Sequence, residues 1–266
     1  MIYLPSNYKF SGYQKIQTYQ ILNRIGCPVL KSVLLDNNDD ITESTVDNIK
    51  SYLADEYCTV RYQYISPNSK PVRGGNKVKI SSSSISNCIV PNTILWLLEP
   101  TNRLANQCSL NMCFSRYHEK LTFECVGKGF DTSNINRGDI SPHQTIEFRL
   151  PIECGHNLEW WKYAKFDFMK GDAYEKTKTV RLKNIQSLGY RNYGRELFDE
   201  MYTPLQISQI EKLLGFAKLI YSSRELENEE EFIANCSILE NGNVVFWDIA
   251  TPIGKLHIYR DFQIKI

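Results

Sequence analysis

The sequence predicts an α+β protein built on antiparallel sheets, and three observations carry that expectation. Apolar residues recur at helical spacing over 14–25 (QKIQTYQILNRI) and 43–54 (ESTVDNIKSYLA), so the chain opens with amphipathic helices. From Tyr57 the texture changes to alternation, as in CTVRYQYI, which fits a half-buried strand. Near the far end, two apolar runs flank Glu240-Asn241-Gly242-Asn243, and Asn-Gly is the strongest short turn signal for a hairpin.

Each element follows in order. Gly26 supplies the stop that helices use at their C-terminal end, and CPVLKSVLL after it reads as a short strand. A polar turn, DNNDD, leads to the second helix, where Val46, Ile49 and Leu53 share one face. SPNSKPVRGGNKVKI (66–80) is rich in Pro, Gly, Ser and base and reads as a long turn, with the serine run 81–84 and Pro91-Asn92-Thr93 bracketing a link. TILWLLEP is a nearly continuous apolar strand ending at Glu99-Pro100, and 105–114, 119–126 and HQTIEFRLPI are further strands. GKGFDTSNINRGD reads as a loop. The segment 157–188 is ambiguous. Residues 204–222 form the strongest helix, with Pro204 in its first turn and Ile207, Ile210, Leu213, Leu214, Ala217 and Ile220 on one face. The hairpin 229–252 and a last β run, KLHIYRDFQIKI, complete the chain.

Composition excludes several classes. The 266 residues carry 31 Lys plus Arg against 30 Asp plus Glu, a formal charge of +1, which argues against coating nucleic acid through bulk electrostatics. With 42% hydrophobic and 12% aromatic residues, global disorder is excluded. No run approaches ~18 uninterrupted apolar residues, so no transmembrane helix is expected. The charge is unevenly placed: base gathers at 70–79 and 176–183, acid at 225–231. The N-terminus lacks a secretory pattern, and the eight cysteines show no CxxC, so they read as reduced, buried thiols of a cytoplasmic protein. Cys108, Cys113 and His118, or Cys154 and His156, could be metal ligands, but their intervals are not those of a zinc site.

Four places could carry chemistry. Arg61 lies in a strand ahead of Arg73-Gly74-Gly75-Asn76-Lys77, where glycines let a backbone approach phosphate and basic side chains add charge; a plain exposed basic turn is the alternative. There is no GxxxxGK[ST] and no GxGxxG. Glu99 ends an apolar strand, where it could hold an amino or hydroxyl group. Asp248 leaves the buried strand VVFWDIATP and needs a cation, a base or solvent; Glu231 opens the partner strand. None of His118, His143, His156 and His257 sits beside a convincing nucleophile, and Trp160-Trp161-Lys162-Tyr163 could stack a base or belong to the core.

Taken in order, these segments resemble ATP-grasp nucleotide-binding domains. A helix followed by IGCPVLKSVLL is similar to the family's opening helix, turn and strand. TVRYQYISPNSKPVRGG is similar to the strand and phosphate loop of the pyruvate phosphate dikinase-like branch, TILWLLEP to the adenine hinge, and EEEFIANCSILENGNVVFWDIATPIG to the closing metal-binding hairpin. Where the family ends that hairpin Glu-x-Asn or Gln-x-Arg-Pro, Asp248-Ile249-Ala250 keeps only the acid, and the first-strand acid is replaced near Asn235 or Ser237, which leaves Glu231 as the nearest carboxylate. The resemblance implies two α+β lobes with antiparallel sheets enclosing a nucleotide cleft, divided at 1–95 and 96–266. It implies ATP held by Arg61, Arg73, Gly74, Gly75, Lys77 and Glu99, Mg²⁺ held by Glu231, Asn235 and Asp248, and catalysis drawing on Arg61, Arg137 and Arg181, with Asp139 and Lys183 nearby in sequence. The implied activity is an ATP-dependent ligase that activates a carboxylate of a small-molecule or peptide acceptor, as found in the carboxylate-amine ligase branch. The alternatives are an ATP-dependent phosphotransferase, a non-catalytic nucleotide- or protein-binding module with a degenerate metal site, or a nucleic-acid-associated protein that uses 70–79 and 176–183 as a groove.

Overall fold

Antiparallel pairing organises both sheets of the computed structural model, which describes residues 14–35, 40–64, 75–89, 93–98, 106–127, 130, 132–136, 141–150, 165–168 and 205–250. By contact the chain divides into Met1–Arg24 with Val29–Thr101, and Ile25–Pro28 with Asn102–Ile266. The architecture is α+β.

The first unit carries α1 (Gln14–Arg24), β1 (Ser32–Leu35), α2 (Glu43–Leu53), β2 (Tyr57–Tyr64), β3 (Gly75–Lys79), α3 (Ser82–Ser86) and β4 (Thr93–Leu98), with strand order β1-β4-β2-β3. Its core joins Val33 and Leu35 of β1, Val46, Ile49 and Leu53 of α2, and Cys58 and Val60 of β2. The helical spacing of the α2 residues thus becomes one buried face. Thr42 caps α2, its hydroxyl accepting from the Thr45 N–H at 3.2 Å, and Ala54 ends it in the left-handed region at φ 55°. Tyr19 on α1 donates its hydroxyl to the Leu30 carbonyl at 2.8 Å, which ties the helix to the entry of β1.

Two expectations change here. The sequence reads as a turn over 66–80, whereas Gly75–Lys79 forms β3 along β2; Val78, opposite Cys58, packs against the core, and the strand needs few apolar residues because it lies at the sheet edge. The serine run reads as a link, whereas Ser82–Ser86 is helical. Ser81 caps it by accepting from the Ser84 N–H, and Ile85 is buried beneath it.

The second unit is a six-stranded sheet in the order β10-β9-β5-β6-β7-β8. Its strands are β5 (Asn106–Ser115), β6 (Lys120–Gly127), β7 (Gln144–Arg149), β8 (Lys165–Phe168), β9 (Glu231–Leu239) and β10 (Val244–Ala250). Among the described residues, the α-helices that accompany them are α4 (Thr132–Asn136) and α5 (Ile207–Tyr221). α4 falls inside the segment read as a loop. α5 starts after Gln206, which closes a capping box with Gln209, so it begins later than Pro204; that proline lies outside the described residues.

One face of this sheet is apolar and packs on α5. Phe114 stacks on Phe232 at 4.5 Å between ring centroids, Phe216 of α5 meets Phe246 edge-on at 5.5 Å, and Leu213, Leu214, Ala217 and Ile220 are buried. Arg116, at the turn between β5 and β6, lies over the Tyr221 ring with its guanidinium carbon 4.1 Å from the centroid, and donates to the carbonyls of Tyr221, Leu226 and Glu229. The β9–β10 turn uses Gly242 at φ 77°, a conformation that glycine adopts without penalty. The edge strand β10 is met by Pro28, whose carbonyl accepts from the Phe246 N–H at 2.8 Å. Among the described residues, no helix is long and apolar enough to cross a membrane. The expected strand at 255–266 lies outside the described residues, and the ambiguous 157–188 is described only at β8.

Removing the Phe232 ring leaves a cavity under α5, so Phe232→Ala lowers the urea-measured unfolding free energy by about 3–5 kcal/mol. Thr42→Ala, which deletes one cap, lowers it by about 1 kcal/mol. Equal effects of the two substitutions would contradict this placement of the core.

Candidate functional site

In the first unit, alternation along β2 sends Cys58 and Val60 into the core and Thr59 and Arg61 to the opposite face. Arg61 stands opposite Gly75, which brings no side chain against it, while Lys77 faces Thr59. Arg61 and Lys77 are therefore diagonal neighbours on one face, roughly 7–8 Å apart at the backbone. The Arg61 Nε–H is buried and meets no acceptor among the described residues, an arrangement that favours an anionic ligand. Lys77 is exposed, with its Nζ 5.4 Å from the Tyr57 ring centroid. Arg73, Gly74, Glu99, Arg137 and Arg181 lie outside the described residues, as do Asp139 and Lys183.

In the second unit, the face of the sheet opposite α5 is polar although much of it is buried. Register places Glu124 of β6, Asn111 of β5, Asn235 of β9 and Asp248 of β10 in one row across four strands. Asn111 donates Nδ2–H to Glu124 Oε2 at 3.3 Å and to Asn136 Oδ1 of α4 at 2.9 Å. Asn235 donates Nδ2–H to Asp248 Oδ1 at 2.5 Å. One step along the strands, Ser109 and Ser237 share a 2.8 Å hydrogen bond, and the Trp247 indole N–H donates to Ser237 Oγ at 2.8 Å. A β-bulge at Trp247 makes this possible. It shifts the register between Phe246 and Asp248, so Phe246 stays opposite Cys236 on the core side while Asp248 meets Asn235 on the polar side.

The structure thus brings Asn235 and Asp248 together, and it brings Arg61, Gly75 and Lys77 together. It does not bring Glu231 to the Asn235–Asp248 pair. Glu231 is four residues along β9, roughly 13 Å at ~3.3 Å per residue, and accepts from Ser115 Oγ at 3.3 Å. Asn111 and Glu124 belong to no sequence motif; only register joins them to the hairpin. Among the described residues, no group of three or more His, Cys, Asp or Glu is placed to hold a metal. An oxygen set of amides and a carboxylate still suits a hard cation such as Mg²⁺, for which amide oxygens serve as ligands beside water.

No family model and no curated protein matches the chain. Its structural neighbours are ATP-grasp enzymes. The D-alanine-D-alanine ligase from Coxiella burnetii aligns with 92% of this chain and 49% of its own, at 10% identity and a TM-score of 0.45. D-alanyl-alanine synthetase A from Vibrio cholerae aligns with 90% and 55%, at 9% identity and 0.42. The ATP-grasp ligase PsnB, complexed with minimal precursor, aligns with 89% and 51%, at 9% identity and 0.35. The chain spans about half the length of these structures.

Burial withholds thiolate chemistry from Cys27, Cys58, Cys113, Cys125 and Cys236. Cys27, Cys58, Cys88, Cys108, Cys113, Cys125 and Cys236 are free. Burial pushes the Cys27 and Cys58 thiols up to about 12, and holds Cys113, Cys125 and Cys236 well above their ordinary range. Cys108 points to the core side and Cys113 to the polar side of β5, while His118 is exposed at the hairpin tip, so these three do not converge. His143 is buried and accepts from the Gly127 N–H through Nδ1 at 3.0 Å, which puts its own proton on Nε2. Cys154 and His156 lie outside the described residues.

These raised thiols carry a pH signature. Below the ordinary value of 9.0, both folded and unfolded chains hold the proton and the full stability is present. Above it the unfolded chain ionises while the folded chain does not, so stability falls as pH rises from 9.0 toward about 12. Cys58→Ala flattens that slope in urea titrations taken at pH 8, 9 and 10. An unchanged slope in the variant would show that the Cys58 thiol ionises freely in the fold.

Proposed function

We propose that this chain is an ATP-dependent ligase that activates a carboxylate by phosphoryl transfer. The observation that carries the reading is the Asn235–Asp248 pair on the bulged β9–β10 hairpin, set among buried amide oxygens on the polar sheet face. The segment order that resembles ATP-grasp domains supports it, as does Arg61, whose Nε–H meets no acceptor among the described residues and whose backbone stands opposite Gly75.

The residues divide the work by charge. Arg61 and Lys77 offer cationic donors to polyphosphate oxygens. Asp248 and Asn235 offer oxygens that would hold Mg²⁺, whose charge would offset that of a phosphate. The acceptor is a small-molecule or peptide carboxylate: transfer of the γ-phosphoryl to its oxygen releases ADP and makes an acylphosphate, and an amine then attacks the acyl carbon, displacing phosphate and giving up a proton as the amide forms. Arg137 and Arg181 are proposed at the acceptor end. Catalysis in this scheme is positioning plus electrostatic stabilisation, with no protein nucleophile. A cytoplasmic setting suits the reduced thiols. The amide at position 235 also favours a second reading, a nucleotide-binding module that does not turn over.

A thermal-shift titration separates these. Saturation with Mg·ATP at about 100 Kd adds about 2.7 kcal/mol of stability, a rise in Tm on the order of 5–10 °C. Asp248→Ala and Arg61→Ala each remove most of the rise, while exposed Tyr117→Ala keeps it. No shift in the wild-type chain with Mg·ATP sinks both readings. A shift without ADP release in the presence of hydroxylamine and a panel of carboxylates selects the non-catalytic one.

A further inference from the structure

Two amide oxygens in the second sheet are buried without a donor. Asn111 is 0% exposed and Asn235 is 7% exposed, and the Oδ1 of each meets no hydrogen-bond partner among the described residues. Leaving a buried acceptor unsatisfied costs on the order of 1–3 kcal/mol. Two such atoms on paired residues of neighbouring strands point to a missing partner that serves both.

Chemistry sets the orientation of these amides. An ionised carboxylate only accepts, so an asparagine beside one must turn its nitrogen toward it. Asn111 turns Nδ2 toward Glu124 on β6, and Asn235 turns Nδ2 toward Asp248 on β10. Since the strand order is β10-β9-β5-β6, the nitrogens point outward and the planar amides carry their oxygens inward. Asn111 Oδ1 is turned toward β9 and Asn235 Oδ1 toward β5. Two acceptors facing across one strand pair repel unless a donor or a cation lies between them. The flanking carboxylates Glu124 and Asp248 favour a compact cation over a neutral donor.

We propose that Asn111 is a metal ligand: its Oδ1, with Asn235 Oδ1 across the β5–β9 pair, takes a hard divalent cation at a site charged by Asp248. Glu124 and Asn136 are positioning residues that hold the Asn111 nitrogen and so aim its oxygen. A protein ligand therefore comes from β5 as well as from β9, while Asp248 adds charge from the far side of Asn235. This rests on the cation role given to Asn235 and Asp248 above, and it does not require that the cation arrive with a nucleotide.

The test uses Mn²⁺ alone as the probe, with the full chain and no nucleotide, following loss of the free-ion EPR signal. The wild-type chain binds one Mn²⁺, and Asn111→Leu, which keeps the branched shape but removes the amide oxygen and nitrogen, weakens binding at least tenfold. Glu124→Gln gives a second readout that a purely structural role would not move. It removes the charge that makes the Asn111 orientation one-sided and so loosens the aim of the Asn111 oxygen, weakening Mn²⁺ severalfold while circular dichroism and the urea midpoint show a folded chain. Glu147→Gln, a carboxylate on the same face that pairs with Lys120 at 2.7 Å, leaves Mn²⁺ affinity unchanged. Unchanged Mn²⁺ affinity in both Asn111→Leu and Glu124→Gln, with loss in Asp248→Asn, overturns the Asn111 assignment and leaves the metal reading standing. Absence of Mn²⁺ binding by the wild-type chain overturns both. Mn²⁺ binding that depends on Asn111, in a chain that gives no shift with Mg·ATP, upholds this assignment and sinks the nucleotide reading.

Discussion

A carboxylate can only accept hydrogen bonds, and that one-sidedness orders the middle of the second sheet. Glu124 and Asp248 stand at the two ends of a four-strand row and each claims the nitrogen of the asparagine beside it. The two amide oxygens are then committed to the inside of the row, whatever else the sheet does. Buried serines one step away add hydroxyls to the same face, so the polar character extends beyond a single row. The apolar face under α5 supplies the burial that fixes register; the polar face uses that register to place donors and acceptors.

The bulge at Trp247 reconciles the two demands. Strict alternation through 246, 247 and 248 would put Phe246 and Asp248 on the same face, one of them misplaced. Inserting one residue lets Phe246 remain against Phe216 while Asp248 reaches Asn235, and the indole N–H finds Ser237. The hairpin therefore holds aromatic packing and a polar pair within three residues.

Much of this was legible from residue order. Period 3.6 over 43–54 and period 2 over 57–65 became α2 and β2, and Asn241-Gly242 became the turn between β9 and β10. β3 was hidden because an edge strand needs only Val78 against the core, so its Gly, Asn and Lys residues look like a turn. α3 was hidden because serine is a poor helix former yet a strong cap, and Ser81 supplies the cap that lets Ile85 stay buried. Asp248 and Asn235 could be singled out along the chain because one hairpin carries both. Asn111 and Glu124 could not, since their relation to Asn235 exists only through strand pairing across 124 positions of sequence for Asn111. The same limit placed Glu231 near Asp248 in the sequence reading: nearness to a hairpin's start is not nearness to its polar pair.

Arg116 has a consequence for how the second unit comes apart. The last carbonyls of a helix normally face water and the final turn frays. Here the carbonyl of Tyr221, the last residue of α5, and those of Leu226 and Glu229 in the segment that follows are taken by one guanidinium from the β5–β6 turn, which also covers the Tyr221 ring. The end of α5 cannot loosen without uncovering that charge, and the β5–β6 turn cannot move without stripping the helix of its donors. Helix end and strand turn therefore behave as one cooperative block, so amide protons in both should exchange with solvent through the same opening event.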